Sequence, residues 1–436
     1  MLIVKSPKVI NHFNHLHKMK INPFKPNSPS RSGMFVGRIN EIEKLEASLI
    51  QTRANQSVSF LLTGERGIGK TSLLNLIKFF AEGYIEVREQ KLNFLVVEID
   101  ITKDTTRFGL IKKIELALSR KLAQTEKTKK VFNDIWNFVK KFEVAGVKYN
   151  DSNNQEKELL FEEFSYSLAD TLNRITNLSD TNFDAKYDGI LLLIDEADNA
   201  SDTIDLGVFV KLLTERLQKE GSEKLMFGIA GLPRIKDILI KSHPSSLRIF
   251  EEIELDRLNN DEIKEIIQKV LENGKVLNDY ETVVDDKAQD LLVEFSEGFP
   301  HFIHQYGYCA FELSDGKMIT TTNVINGAFG KRGALELIGN KYYKDDYYNK
   351  LQVDSYRQVL NIMAESMDGW ITKSQIKTKF KGNDATLNNA ITALRKRNII
   401  LSKQGSKGTY RLQDKGFAWW ILMNCKKEEQ QIKGTK

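Results

Sequence analysis

The stretch Gly64-Glu-Arg-Gly-Ile-Gly-Lys-Thr71 matches the pattern GxxxxGK[ST] at every defined position. In this pattern the glycines let successive backbone N–H groups turn toward phosphate oxygens, and the helix that follows adds its positive N-terminal end. The side chain of Lys70 is expected to reach the β- and γ-phosphates, and the hydroxyl of Thr71 to ligate Mg²⁺. The sequence therefore predicts a phosphate-binding loop with these lining residues: Gly64, Glu65, Arg66, Gly67, Ile68, Gly69, Lys70, Thr71 and Ser72.

A second motif is the apolar run Ile190–Ile194, which ends in the acidic pair Asp195 and Glu196. A buried strand that ends in a carboxylate places that group at the carboxyl edge of a parallel sheet, where nucleotides bind. Asp195 is therefore expected to share the Mg²⁺ ion with Thr71, and Glu196 to position and polarise the attacking water. Asp198 is expected to cap a helix rather than to act in catalysis. Together the two motifs predict binding and hydrolysis of ATP with Mg²⁺.

Short apolar runs alternate with longer amphipathic segments between residues 57 and 255. This alternation is typical of an α/β fold in which helices cover both faces of a parallel sheet. Strands are predicted at Ser57–Thr63, Phe94–Ile99, Ile190–Ile194, Lys224–Ala230 and Glu252–Leu255, and helices at Thr71–Phe80 and Val208–Leu217. Residues 110–188 exceed the length of one crossover, so we predict an insertion there, with a β-ribbon at Phe142–Tyr149.

The composition favours a protein of a reducing, aqueous compartment. The two cysteines, Cys309 and Cys425, form no CxxC or CxxH pattern, which argues against a zinc site and a disulfide framework. Every apolar run of the chain, Ile190–Ile194 among them, is far shorter than the roughly 20 residues that a spanning helix needs. Lys, Asn and His interrupt the opening of the chain before any apolar stretch of signal-peptide length. We therefore expect a cytoplasmic protein without a membrane partner.

One segment, Ile371–Arg411, carries a strong excess of positive charge. It holds ten Lys and Arg residues against a single acid, Asp384, which gives a formal charge of +9 in a chain whose total is +5. The remainder of the chain is therefore slightly acidic, at −4. A basic segment on such a protein is typical of a module that binds a polyanion such as double-stranded DNA, although a solvated surface has the same composition.

Residues 351–425 are predicted to form three helices and a hairpin. The helices are predicted at Tyr356–Ser366, Ile371–Phe380 and Asp384–Asn398, the last capped by Asp384, and the hairpin strands at Ile399–Leu401 and Thr409–Leu412. In a winged helix of this kind the third helix enters the major groove and the wing contacts the backbone. The side chains expected to contact DNA are Asn388, Asn389, Thr392, Arg395, Lys396, Lys403 and Lys407. Winged helices also bind proteins, and the pair Trp419-Trp420 is expected to pack in the core.

Several other segments resemble one family of ATPases. Asn22-Pro23-Phe24, followed by Met34-Phe-Val-Gly-Arg38, resembles the lead-in of AAA+ ATPases related to origin-recognition and initiator proteins and to STAND NTPases. The fourth-strand, arginine-box and lid segments of the same family are similar to Phe227–Arg234, Leu247–Leu258 and Gly298–Ile303. Over about residues 22–425 the chain most resembles the bacterial Orc1-like ATP-binding proteins.

This resemblance implies which residues line the adenine pocket and that ATP hydrolysis is slow. The residues implied to line the nucleotide outside the loop are Val36, Gly37, Arg38 and Pro300. Two positions depart from the family. No Asn follows the fourth predicted strand, where Arg234 is the nearest polar group, and Pro300-His301 stands where an Arg is expected. Because a neutral histidine cannot replace a permanent guanidinium charge, slow and switch-like turnover is expected.

The resemblance also implies self-assembly. Arg248 stands where the family has an arginine finger, which neutralises charge on the transferred phosphoryl group of a neighbouring subunit's ATP. A homo-oligomer that depends on the nucleotide is therefore expected. The alternative for Arg248 is a surface ion pair with Glu251 or Glu252.

The predicted parts of the chain are an N-terminal lead-in over 1–30, an AAA+ core over 31–256, a helical lid over 257–350, a winged helix over 351–425 and a polar tail over 426–436. We expect an ATP-dependent switch that acts on DNA. One alternative is a STAND-like signalling or defence regulator whose winged helix binds a protein. Another is a nucleotide-binding regulator that scarcely hydrolyses ATP.

Overall fold

The structure of this chain is a computed structural model that describes residues 20–28, 35–144, 154–345, 347–348, 351–366, 369–397, 399–403 and 405–434. The chain divides into two units between Arg257 and Leu258. The N-terminal unit holds residues 29–257, and the C-terminal unit holds residues 258–436 together with the segment that precedes residue 29. None of the described helices is both long and apolar enough to cross a membrane.

The N-terminal unit is built on a parallel sheet with the strand order β2-β3-β4-β1-β5. The strands are β1 (Ser59–Gly64), β2 (Phe94–Asp100), β3 (Gly189–Asp195), β4 (Leu225–Gly231) and β5 (Phe250–Leu255). The inner strands β1 and β4 are buried along their whole length, as expected of parallel strands that are covered on both faces. The α/β fold and all five predicted strands are confirmed, and no strand end differs by more than two residues.

Helices occupy the connections between these strands. They are α1 (Ile39–Arg53), α2 (Lys70–Ala81), α3 (Arg107–Leu122), α4 (Glu126–Ile135), α5 (Asn137–Val144), α6 (Asn154–Thr176), α7 (Leu206–Lys219) and α8 (Ile235–Ser242). Two short 3₁₀ helices lie at Ala197–Asn199 and Ser246–Ile249. The predicted helices after the phosphate-binding loop and before β4 are confirmed as α2 and α7.

The region predicted as an insertion contains α3–α6, which connect β2 to β3. Their apolar side chains share one core with α7, in which Trp136 stacks on Phe132 with the ring centroids 5.6 Å apart. The β-ribbon predicted at Phe142–Tyr149 is wrong for residues 142–144, which end α5. Phe138 and Phe142 have the i, i+4 spacing of a helix and pack against that core. Residues 145–149 lie outside the described residues.

The strand order brings three carboxyl ends together. The strand β4 lies between β1 and β3. Near its carboxyl end, Gly231 pairs with Thr63 of β1 and Ile229 pairs with Ile194 of β3. A Cβ atom at Gly231 would lie 3.1 Å from an oxygen of Asp198, so the segment after β3 packs closely on the end of β4. The residues that follow β1, β3 and β4 therefore share one edge of the sheet.

The C-terminal unit begins with helices α9 (Asn260–Asn278), α10 (Asp286–Ser296), α11 (Pro300–Leu313), α12 (Thr321–Phe329) and α13 (Ala334–Tyr342). Two strands of two residues each, β6 (Val283–Val284) and β7 (Met318–Ile319), pair in parallel among them. The sequence did not predict these strands, which are too short to give a periodic pattern.

Residues 20–28 are bound to this set of helices. Lys20 Nζ donates to three carbonyl groups at the end of α11, those of Phe311, Glu312 and Ser314, over 2.8–2.9 Å. Phe24 is 1% exposed and lies on Gly307, where a Cβ atom would come within 2.3 Å of its ring. A cation is favourable at a helix C-terminus, so Lys20 and Phe24 together fasten this segment to α11.

Residues 354–434 form four helices and an antiparallel sheet. The helices are α14 (Asp354–Ala364), α15 (Lys373–Lys379), α16 (Asp384–Lys396) and α17 (Lys415–Gly434). The sheet has the order β8-β10-β9, with β8 at Ile371–Thr372, β9 at Ile400–Ser402 and β10 at Thr409–Leu412. The predicted order of three helices and a hairpin is found, and α17 continues into the predicted tail as far as Gly434.

Two details of this region differ from the prediction. Ile371 and Thr372 form β8 and not the first turn of a helix, because Thr372 is the N-cap of α15 and its side chain accepts from the backbone N–H of Gln375. Asn383, and not Asp384, caps α16: its Oδ1 accepts from the N–H of Thr386 at 2.8 Å. The cap therefore precedes the predicted one by a single residue.

The prediction that the pair Trp419-Trp420 packs in the core is confirmed for Trp420, whereas Trp419 is only half-buried. Trp420 is 4% exposed and stacks on Phe417 with the ring centroids 6.2 Å apart. Trp419 meets Phe295 edge to face, with a centroid distance of 5.2 Å.

Candidate functional site

The loop between β1 and α2 has the backbone that the phosphate-binding motif requires. Gly67 and Gly69 adopt φ angles of 79° and 107°, which residues with a Cβ atom rarely do. At Gly64 a Cβ atom would lie 2.9 Å from the side chain of Ile68 and 3.1 Å from the carbonyl of Leu255. The conformation and close packing of the loop therefore require glycine at these three positions.

Lys70 is the first residue of α2, and its side chain turns back into the loop. Its Nζ atom donates to the carbonyls of Gly64 at 2.8 Å and Glu65 at 2.9 Å. Burial lowers the pKa of Lys70, and the carboxylates of Asp195 and Asp198 act in the opposite direction. The ammonium group is thus held inside the loop and near the acidic end of β3.

The next residue, Thr71, connects the loop to the second motif. Its Oγ1 donates to Oδ2 of Asp195 at 2.7 Å, and Oδ1 of Asp195 accepts from the N–H of Glu196 at 2.8 Å. A hydroxyl and a carboxylate in contact are hard oxygen donors, the type that Mg²⁺ prefers. The predicted metal ligands therefore fit the ion.

Glu196 follows Asp195 in a left-handed conformation with a φ angle of 50°, and its side chain is exposed. Oε2 of Glu196 accepts from the side-chain amide of Asn199 at 3.3 Å. Sequence reasoning missed Asn199, because a single amide three residues after the acidic pair forms no recognised pattern. β3 ends at Asp195, and the left-handed bend leaves Glu196 exposed just outside the strand.

Asp198 does not cap a helix, so that prediction is wrong. Its Oδ1 accepts from the N–H of Leu232 at 3.0 Å, and its Oδ2 forms an ion pair with Arg234 at 2.7 Å. The side chain is buried, and an ion pair with bonded oxygens is what makes a buried carboxylate tolerable. Asp198 therefore ties the segment after β3 to the segment after β4, and the one polar group noted after the fourth strand, Arg234, is its partner.

Comparison with known proteins agrees with this geometry. Residues 34–221 match the family model of the AAA ATPase domain. The ORC2 protein of Aeropyrum pernix, in a structure of its ADPNP–ADP complexes, is similar with a TM-score of 0.56 at 12% identity, over 95% of this chain and 99% of that one. The chain contains an AAA ATPase domain of Orc1-like fold.

Two further proteins are similar to this chain. An uncharacterized HTH-type transcriptional regulator of Methanocaldococcus jannaschii is 25% identical over 310 residues, which are 69% of each protein. The Cdc6 protein of Pyrobaculum aerophilum has a TM-score of 0.45 at 15% identity, over 93% of this chain and 98% of that one.

The lead-in of the AAA domain lies beside the same edge of the sheet. Val36 is buried, and Gly37 and Arg38 have φ angles of 64° and 74°, after which α1 begins. The guanidinium of Arg38 donates to the carbonyl of Asp256, directly after β5. Since Gly64 pairs with Leu255 in β5, this bond brings the predicted adenine residues near the start of the loop.

Arg248 lies outside the residues that the fold of the AAA domain brings together. It is exposed in the 3₁₀ helix that precedes β5. The alternative ion pair is wrong, because Glu251 pairs with Lys44 at 2.8 Å and Glu252 with Lys236 at 2.9 Å. Among the described residues no carboxylate is within ion-pair distance of Arg248.

Pro300 and His301 belong to the C-terminal unit, where Pro300 is the first residue of α11. Burial, and to a smaller extent the charge of Lys341, lowers the pKa of His301 to about 4. His301 is therefore neutral at pH 7, as the sequence reasoning assumed. The contact of Pro300 with a nucleotide stays a prediction.

Proposed function

We propose that this chain is a slow ATP-dependent switch that acts on double-stranded DNA. The observation that carries the ATP part is the contact of Thr71 with Asp195 at 2.7 Å, next to a loop that already holds Lys70. Support also comes from the ORC2 protein of similar fold, whose structure contains ADPNP and ADP.

The proposed chemistry assigns one task to each side chain. The N–H groups of the loop and the Lys70 ammonium bind the β- and γ-phosphates, and Thr71 with Asp195 would hold Mg²⁺. The ion would offset negative charge on the phosphates. Glu196 accepts a proton from the water that attacks the γ-phosphorus, and Asn199 orients its carboxylate.

Slow turnover follows from what surrounds these groups. The polar residue after β4 is Arg234, whose guanidinium is engaged by Asp198. The resemblance to the Orc1-like proteins implies a permanent cation at the position of His301, whose imidazole is neutral at pH 7. Arg248 is exposed, which supports its role on a neighbouring subunit and, with it, assembly controlled by the bound nucleotide.

The DNA part rests on the C-terminal unit. Exposed Arg395 and Lys396 on α16 and Lys403 after β9 belong to the most basic segment of the chain. The 25% identical relative is described as an HTH-type regulator, a class that binds DNA through a helix in the major groove. We therefore propose that α16 and the hairpin of residues 400–412 contact the duplex. If this region instead binds a protein, the alternative function, a STAND-like signalling or defence regulator, is the better description.

The experiment is ATP turnover of the full chain with and without duplex DNA, with Lys70→Ala as the control, and with particle size followed in parallel. We expect slow turnover that DNA stimulates, no turnover in the variant, and a larger particle with a non-hydrolysable ATP analogue. Equal turnover in Lys70→Ala would contradict the ATP site. Turnover indifferent to DNA, with no DNA binding, would contradict the DNA part and leave the ATPase standing.

A further inference from the structure

The cations of the basic segment fall into two groups. On α15, Lys377 pairs with Asp384 at 2.9 Å and Lys379 pairs with Glu365. Arg395 and Lys396 on α16, Lys403 after β9 and Arg411 on β10 have no carboxylate within ion-pair distance among the described residues. Of the ten cations of this segment, two, Lys377 and Lys379, have a carboxylate partner among the described residues, and α15 keeps Lys373 without one. Six of the other cations lie on or beside α16 and the hairpin, so most of the uncompensated charge is there.

The register of the sheet β8-β10-β9 decides which side chains face solvent. Tyr410 pairs with Ile371 and with Ser402, and both Tyr410 and Ile371 are buried. Side chains alternate along a strand, so the opposite face carries Arg411, its partner Leu401, and Trp370 beside Arg411. Trp370 is 37% exposed, and Arg411 is exposed as well.

Two unpaired cations lie on the ring of Trp370. Cζ of Arg411 is 5.1 Å from the ring centroid and Nζ of Lys403 is 6.0 Å from it. Attraction to the ring fixes both side chains without cancelling their charge, because the ring contributes a quadrupole and no net charge. The three side chains form what we call the outer sheet face: Trp370, Lys403 and Arg411.

A groove of about 440 Å³ adjoins this face. Its lining residues are Thr392, Arg395, Lys396, Ile400, Leu401 and Ser402. Leu401 belongs both to the groove and to the solvent side of the sheet, so α16 and the outer sheet face form one continuous basic surface.

We propose that the phosphate backbone of double-stranded DNA crosses the outer sheet face, with Trp370 as the positioning residue that holds Arg411 and Lys403 toward it. This inference rests on the proposed DNA function and adds to the contacts of α16 and the hairpin the face of the sheet that carries Trp370, with Trp370 positioning two of the cations. Charge complementarity favours the duplex, since four uncompensated cations match a regularly spaced polyanion. A patch on a protein partner would need aligned carboxylates and is the outcome that the test must separate.

The test measures binding of the full chain to a labelled mixed-sequence duplex by anisotropy over about 50 to 200 mM salt. Variants are Trp370→Ala, Trp370→Phe and the pair Lys403→Gln with Arg411→Gln. The control is the pair Lys377→Gln with Lys379→Gln, which removes two cations of the same segment that already have carboxylate partners. Thermal unfolding of each variant checks that it is folded.

The double variant of the outer sheet face is expected to lower the salt slope of log K by about two, close to one for each phosphate that a cation no longer neutralises. Trp370→Ala is expected to weaken binding about two- to fivefold with a smaller change in slope, and Trp370→Phe to retain binding. The α15 control is expected to leave the slope unchanged.

Two results would overturn the inference in distinguishable ways. If the wild-type chain binds the duplex and both the double variant and Trp370→Ala bind equally well, the outer sheet face is not a contact, although the DNA function stands. If the wild-type chain does not bind the duplex at either salt concentration, the DNA function fails and the inference fails with it.

Discussion

The charged groups at the two candidate binding surfaces differ in whether they have partners within the protein. In the N-terminal unit the charged groups around the loop have partners: Lys70 donates to two carbonyls, Asp195 accepts from Thr71, and Glu65 pairs with Arg257 at 3.2 Å. In the C-terminal unit Arg395, Lys396, Lys403 and Arg411 have no carboxylate partner among the described residues. One surface is balanced internally and the other is not.

This difference has consequences for how each unit would respond to its ligand. A group with a partner must exchange it for the ligand, so binding at the loop entails a local rearrangement, as a switch requires. Cations without partners need no rearrangement, but salt screens them and competes for the polyanion. Nucleotide binding should therefore depend weakly on salt, and DNA binding strongly.

The largest effect is expected from Glu196→Gln, which keeps the shape of the side chain and removes the base. We expect ATP turnover to fall by about 100- to 10,000-fold, the range typical of general acid–base catalysis, while nucleotide affinity is retained. Turnover by phosphate release and affinity by equilibrium binding of a fluorescent ATP analogue are the measurements.

The matched control is Glu98→Gln, another exposed glutamate of the same unit, which pairs with Lys78. Its turnover should equal that of the wild-type chain. An unchanged rate in Glu196→Gln would mean that the assignment of the base is wrong and that the regulator which scarcely hydrolyses is the better description.

The N-terminal site was predictable because its parts are local in sequence. The motif from Gly64 to Thr71 fixes a turn, a cation and a hydroxyl within eight residues, and the run before Asp195 fixes a strand end. Asp198 was misassigned since its partners, Leu232 and Arg234, are more than thirty positions away. No local pattern reports such a contact.

The C-terminal surface was predictable only as a charge count. Ten cations in one segment indicate a polyanion, but which of them are free depends on Glu365 and Asp384, which reach them through space. The position of Trp370 over Arg411 and Lys403 follows from pairing across β8, β10 and β9. The sequence predicted a helix at Ile371, and a helix would not have put these three side chains on one face.

A second prediction concerns two largely buried, neutral histidines of the C-terminal unit, His301 and His304. Burial, and to a smaller extent the charge of Lys25, lowers the pKa of His304 to about 4. The imidazole is protonated near pH 6.5 in the unfolded chain but only near pH 4 in the folded unit. The contribution of neutral His304 to the free energy of unfolding is therefore fully present above pH 6.5 and is lost as the pH falls toward 4. His301 behaves alike. The loss should be roughly 3 kcal/mol for each histidine, measured by denaturant unfolding.

The control is His304→Asn. Nδ1 of His304 accepts from the N–H of Lys25 at 3.2 Å, and the amide oxygen of Asn can accept there without titrating. About half of the pH dependence between 6.5 and 4 should disappear. An unfolding free energy that is flat over this range in the wild-type chain would show that neither histidine is held neutral by the fold.

The smallest expected effect separates capping from charge on α16. Asn383→Ala removes the acceptor for the N–H of Thr386 and should cost about 1 kcal/mol of unfolding free energy, whereas Asn383→Asp keeps an acceptor and should cost little. Asp384→Ala should cost less than Asn383→Ala because it removes only an exposed ion pair and a favourable charge near the helix N-terminus.

The variant Asp384→Ala also leaves Lys377 without its carboxylate, so it should raise DNA affinity slightly, which Asn383→Ala should not do. The opposite ranking of the two alanine variants in stability would return the cap to Asp384. A DNA affinity indifferent to Asp384→Ala would mean that α15 lies too far from the bound duplex for its charge to matter.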